Sequence, residues 1–128
     1  MASITTTMKL VKRLAVASVL VLGVSGPVVA GYDEGVAAFE SGDYKTAYKE
    51  LLPLAQTGDA GAQTILGFMY NVGLALQQNY VRAHMWWSLA AAQGNEIAVK
   101  NRDIVAGRMS PADISKAQKM AREWKPKK

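Results

Sequence analysis

The feature that most constrains this chain is an internal repeat. Gly42-Asp43-Tyr44 and Gln78-Asn79-Tyr80 lie 36 positions apart (44 to 80), and the residues after each stay in register. Tyr44, Ala47, Leu51, Ala55 and Gly58 match Tyr80, Ala83, Trp87, Ala91 and Gly94, while Asp59 matches Asn95 and Ala62 matches Ala98. A fainter third copy comes 34 positions later (80 to 114), with Ile114, Ala117 and Ala121 falling on Tyr80, Ala83 and Trp87. Periods of roughly 20 to 50 residues mark stacked supersecondary units, because one unit cannot bury its apolar face alone. The last copy keeps the pattern but loses the glycine, as a terminal capping unit would.

Within each copy the apolar spacing is helical. Tyr44, Ala47, Tyr48, Leu51 and Ala55 form one stripe of a 3.6-residue helix, and Tyr80, Ala83, His84, Trp87 and Ala91 repeat it. Asp43, Asp59, Asn79 and Asn95 stand where N-caps belong, offering an acceptor to an otherwise unpaired backbone N–H. Gly58 and Gly94 stand where helices end, since glycine takes the left-handed conformation without a Cβ clash. Ser110-Pro111-Ala112-Asp113 combines an N-cap, a proline at the first helical position and an acid in the first turn. The spacing predicts six short helices over 33–41, 44–56, 60–71, 80–93, 96–108 and 111–124, with Pro53 bending the second.

Ala62-x-x-x-Leu66-Gly67-x-x-Tyr70-x-x-Gly73, followed by Tyr80-x-x-Ala83-x-x-Trp86-Trp87-x-x-Ala90-Ala91-x-x-Gly94, resembles the Sel1-like repeat, a branch of the tetratricopeptide-like helical-hairpin solenoids. The resemblance covers nearly all of the chain after residue 30: a full repeat at 60–95, a half-repeat before it and a degenerate one after. It implies an all-α fold, a short right-handed α-solenoid of stacked helical hairpins over residues 31–124. Small residues at Gly67, Ala83, Ala90 and Ala91 would let helices approach, with Tyr70, Trp86 and Trp87 filling the gaps. The chain departs from the family in one loop: Gly73-Leu74-Ala75-Leu76 and Asn79 stand where the family usually has Gly-x-Gly-Val and an Asp. It also lacks the disulfide that staples each repeat in some secreted relatives.

The first 30 residues read as a targeting segment. Lys9, Lys12 and Arg13 are basic, and no acid precedes Asp33. Leu14 to Val24 is apolar except for Ser18 and Gly23, and Ser25-Gly26-Pro27 then breaks the pattern before Val28-Val29-Ala30. This is a secretory signal layout with cleavage expected between Ala30 and Gly31, and the apolar run is far short of the roughly 20 residues that span a bilayer. The expected location is therefore periplasmic or secreted, with no stable membrane insertion after cleavage; an uncleaved N-terminal anchor is the alternative.

The formal charge of +5 divides unevenly. Residues 33–59 hold six acids against Lys45 and Lys49, a net −4, whereas 82–128 hold ten bases against four acids, a net +6. Such a bipolar chain lacks the continuous basic face of a nucleic-acid binder, so none is expected. The absence of cysteine excludes a thiolate nucleophile and a sulfur-built zinc site, and a single histidine excludes a multi-histidine metal site. No phosphate loop, calcium loop or paired-carboxylate motif is present, and no cofactor is expected.

Candidate functional residues each carry a plainer reading. His84 titrates near neutrality but lies on the packing stripe. Trp86-Trp87 could form a sugar platform but falls on family core positions. Asp33-Glu34 reads as negative charge at a helix start. In tetratricopeptide-like folds the first helix of each hairpin lines the concave surface, and on the 60–71 helix Phe68 shares its outer face with Gly61, Thr64 and Asn71. It is either a ligand contact or an aromatic covered by a terminal helix or second subunit. The matching face of the next first helix includes Lys100, Asn101 and Arg108, giving a candidate groove of Thr64, Phe68, Asn71, Lys100, Asn101 and Arg108. Lys125-Pro126-Lys127-Lys128 is expected to be a solvated, disordered tail.

These observations favour a non-enzymatic exported repeat protein that holds a protein or peptide partner in the cell envelope. One alternative, by family analogy, is an enzyme acting on the cell wall or β-lactams. Another is a self-assembling protein whose acidic and basic halves associate head to tail into a homo-oligomer.

Overall fold

The computed structural model describes residues 27–128, with side-chain surroundings from Gly31 onward, so the expected signal segment lies almost wholly outside the described residues. Gly31–Lys128 is one compact unit. It is all-α among the described residues, with six helices in chain order: α1 (Pro27–Ser41), α2 (Tyr44–Thr57), α3 (Ala60–Val72), α4 (Tyr80–Ala92), α5 (Glu96–Ala106) and α6 (Pro111–Glu123). Five of the six lie within two residues of the expected bounds. The exception is α1, which reaches back to Pro27 rather than starting at 33; proline's fixed φ and missing N–H suit a first helical turn.

Local chemistry sets these ends. The side chains of Asp43, Asp59, Asn79, Asn95 and Ser110 each accept a hydrogen bond from the backbone N–H three residues on, as N-caps should. Gly58, at φ 110°, closes α2 in the left-handed conformation. The chain runs helically through Pro53, which is exposed. The α3–α4 turn survives its departure from the family pattern. Ala75, standing where the family has its second glycine, is itself left-handed at φ 61°, and Asn79 N–H donates to Tyr70 O at 2.9 Å.

Two hairpins close by the same device. A Cβ on Gly35 would overlap Leu51, and one on Gly67 would overlap the indole of Trp87. The second helices therefore repeat every 36 residues (51 to 87), and the first helices α1 and α3 every 32 (35 to 67). The third hairpin lacks the device: Asp103 and Ala121 hold the corresponding positions. Both α5 and α6 pack on α4, which also packs on α3. The core runs through Ala47, Leu51, Leu66, Met69, Trp87 and Val105, each at most 2% exposed.

The C-terminal segment makes two contacts with the domain. Lys127 N–H donates to Gln56 O at 2.8 Å, and Trp124 meets Trp86 edge-on with ring centroids 6.5 Å apart. The side chains from Lys125 to Lys128 are exposed; Trp124 packs against α4 and the backbone bond reaches the end of α2.

Candidate functional site

The most deeply set polar chemistry lies between helix ends. Gln63, which the apolar pattern did not pick out, is fully buried. Its amide donates to Ala55 O at 3.1 Å, and its carbonyl accepts from Gln93, which also donates to Gly58 O at 2.9 Å. This network joins α2, α3 and α4 with every buried group of Gln63 engaged, the condition under which a polar side chain is tolerated in a core. Only the partner carbonyls could have revealed it, and they are set by tertiary packing.

His84 is 4% exposed, on the packing face of α4. Burial first, then the positive charge of Arg102, lowers its pKa below the usual 6.5, with Asp103 acting in the opposite direction. Ser88 lies 3.2 Å from its Nδ1 but donates its hydroxyl proton to the His84 carbonyl at 2.7 Å. In that arrangement the imidazole donates to Ser88 rather than accepting from it, so the pair is not set up as base and nucleophile. Trp87, 2% exposed, donates its indole N–H to Thr64 O at 3.0 Å. Trp86 is 5% exposed, and its buried indole N–H has no partner. Neither tryptophan forms an open platform.

Nearby, the hydrogen bond with Tyr70, burial and the charge on Tyr70 push the Tyr48 phenol up to about 12. The two hydroxyls are 3.5 Å apart, and Arg82 lies over the Tyr70 ring, 5.7 Å from its centroid. These groups tie α2, α3 and α4 together and sit in the packing rather than around a vacant reactive centre.

The candidate groove residues fall into two sets. In the first, Phe68 is 40% exposed. Its ring stands edge-on to Phe39 of α1, the first helix of the domain, with centroids 5.8 Å apart. Thr64 and Asn71 are half-buried, and the Thr64 hydroxyl donates to Ala60 O. In the second set, Lys100 and Arg108 are exposed and Asn101 is half-buried. No aromatic contact, hydrogen bond or ion pair among the described residues joins Phe68 to the three α5-side residues. Register at 36 residues pairs Thr64 with Lys100 but sets Asn71 on Gly107 and Asn101 on Ile65. Thr64, Phe68 and Val72 of α3 correspond at 36 residues to Lys100, Ile104 and Arg108 on and just beyond α5.

Three residues join this face that sequence reasoning passed over: Val72, Ile97 and Ile104, exposed at 47%, 63% and 61%. Together with Phe68 they are all the exposed large apolar side chains among the described residues, and all belong to first helices of hairpins. The signal that could have found them was the repeat itself, since Ile104 occupies the Phe68 position one period on.

Helical hairpins closed by a glycine against a large apolar side chain, with apolar residues exposed on their first helices, define a helical-repeat protein. The particular fold is the Sel1-like repeat. The chain is similar to a protective antigen present in uropathogenic Escherichia coli strains that displays this fold, with a TM-score of 0.70, 23% identity and 79% of this chain covered. The match spans only 23% of that protein's length. No protein-family model matches the chain, and no curated protein matches it in sequence.

Proposed function

We propose that this chain is a non-enzymatic, exported binding module that holds a protein or peptide of the cell envelope against the first-helix faces of α3 and α5. The observation that carries the reading is the confinement of exposed apolar side chains to those two helices. Phe68, Val72, Ile97 and Ile104 share it with the cations Lys100 and Arg108. Exposed apolar side chains beside unpaired charge are a common mark of a docking face, and helical repeats bind through surfaces built from equivalent positions in successive units. Export rests on the basic, apolar, small-residue order of the first 30 residues.

Two measurements test it. Replacing Phe68 and Ile104 with Ala should reduce capture of the partner from envelope extracts while the helical circular dichroism signal is unchanged; equal capture would remove this face from the function. The intact mass of the protein recovered from a periplasmic fraction should correspond to a chain beginning at Gly31. Recovery of all 128 residues in the cytosol would overturn export.

A further inference from the structure

Successive first helices meet at two junctions, and aromatic rings line the one between α1 and α3. Between α1 and α3, Tyr32 lies against Gly61 and Phe39 stands edge-on to Phe68. The register of 32 residues set by Gly35 and Gly67 places Thr64 and Asn71 on α3 where Tyr32 and Phe39 stand on α1. The register of 36 places Ile97 and Ile104 on α5 where Gly61 and Phe68 stand on α3. That register is secured by Ala62 with Ala98 and Met69 with Val105, all at most 1% exposed. Helices α3 and α5 touch. Their junction therefore opposes Thr64 to Ile97 and Asn71 to Ile104, with two short polar side chains in place of two aromatic rings. The isoleucines are 63% and 61% exposed, and Asn71 Oδ1 is shielded from solvent without a hydrogen-bond partner.

We propose that the α3–α5 junction is a docking slot for an acidic peptide segment that supplies the missing aromatic side chains. This rests on the binding-module reading above and names the partner's chemistry. The aromatic requirement follows from the filled junction. Tyr32 and Phe39 are seven residues apart on one helix, about 10 Å at 1.5 Å per residue, and the partner's rings match that spacing. The acidic requirement follows from Lys100 and Arg108, which are exposed beside the isoleucines and form no salt bridge among the described residues. A second copy of this chain fits less well. Its acidic helix α1 has Asp33, Glu34 and Glu40 exposed, but Tyr32 and Phe39 are already spent against Gly61 and Phe68.

The test pans a phage-displayed library of random peptides on the purified chain and measures the enriched peptides by fluorescence anisotropy. Peptides carrying Phe, Tyr or Trp together with Asp or Glu are expected. Transplanting the α1 aromatics by Thr64→Tyr with Asn71→Phe should fill the slot, raising the thermal midpoint and weakening those peptides at least tenfold. Lys100→Glu with Arg108→Glu should weaken them at least tenfold and flatten the salt dependence. Ile104→Asp gives the same readout should the filled variant not fold. Peptides that bind the filled and Ile104→Asp variants as well as the parent would overturn the slot and leave the binding-module reading intact. Enrichment of basic peptides would overturn the acidic partner. Failure to enrich any peptide would overturn both. Self-association of the parent that is lost in the filled variant would assign the junction to a second copy and overturn the peptide.

Discussion

Gly67 leaves out the side chain that Trp87 needs for its place: a Cβ at Gly67 would overlap the indole, whose N–H reaches Thr64 O on the same helix at 3.0 Å. One residue's missing atoms and the other's large ring make a single packing unit between α3 and α4. Replacing Gly67 with Ala improves helix propensity by up to about 1 kcal/mol, yet overpacking of a tight contact typically costs about 1–3 kcal/mol. The ring is 2% exposed and hydrogen-bonded, with no room to retreat. Gly67→Ala should therefore lower the urea-unfolding free energy, with a net loss of about 1–2 kcal/mol. An unchanged midpoint would show that the indole can shift.

Ala75 offers the opposite case. At φ 61° it occupies a conformation that costs an L-residue with a Cβ about 1–2 kcal/mol. Glycine removes that strain and loses part of the gain to its greater freedom in the unfolded chain, about 0.5–1 kcal/mol. Ala75→Gly should thus stabilise the protein modestly, and a rise in the thermal midpoint checks it.

His84 predicts a pH dependence. Its pKa in the folded chain lies below 6.5, chiefly through burial. As pH falls through 6.5 the unfolded chain takes up this proton before the folded chain does. Stability attributable to His84 is therefore full above the unfolded pKa and declines below it, until pH reaches the lowered folded value. Urea-unfolding free energies measured across this range should rise with pH and level off near neutrality. The same series on His84→Gln should have a flatter rise; an identical slope would assign the effect to other groups.

Trp124 holds the C-terminal tail. It is half-buried against Trp86, and the tail's Lys127 N–H bonds to Gln56 O. Trp124→Ala should lose the edge-to-face pair and part of the ring's burial, about 1–2 kcal/mol. The Lys127 amide should lose its hydrogen-exchange protection in the same variant. Retained protection would mean that the backbone bond holds the tail unaided.

What could be read from the order of residues was local. Caps at Asp43, Asp59, Asn79, Asn95 and Ser110 and the left-handed close at Gly58 act within a few positions of themselves, so the helix bounds were legible directly. The 36-residue register likewise placed Phe68 and Lys100 on equivalent faces. Partners distant in the chain were a different matter. Gln63 has no place in the apolar pattern, and its burial depends on the carbonyl of Ala55 and the amide of Gln93 arriving beside it. Trp124 likewise finds its partner, Trp86, only when α6 packs on α4. Helix α5 packs on α4 with Ala98 and Val105 buried, and Ile97 and Ile104 are left exposed. Capping and periodicity depend on backbone geometry that a few neighbouring residues impose. Burial depends on which surfaces compete for the same partner, and that competition is resolved only when all six helices are packed together.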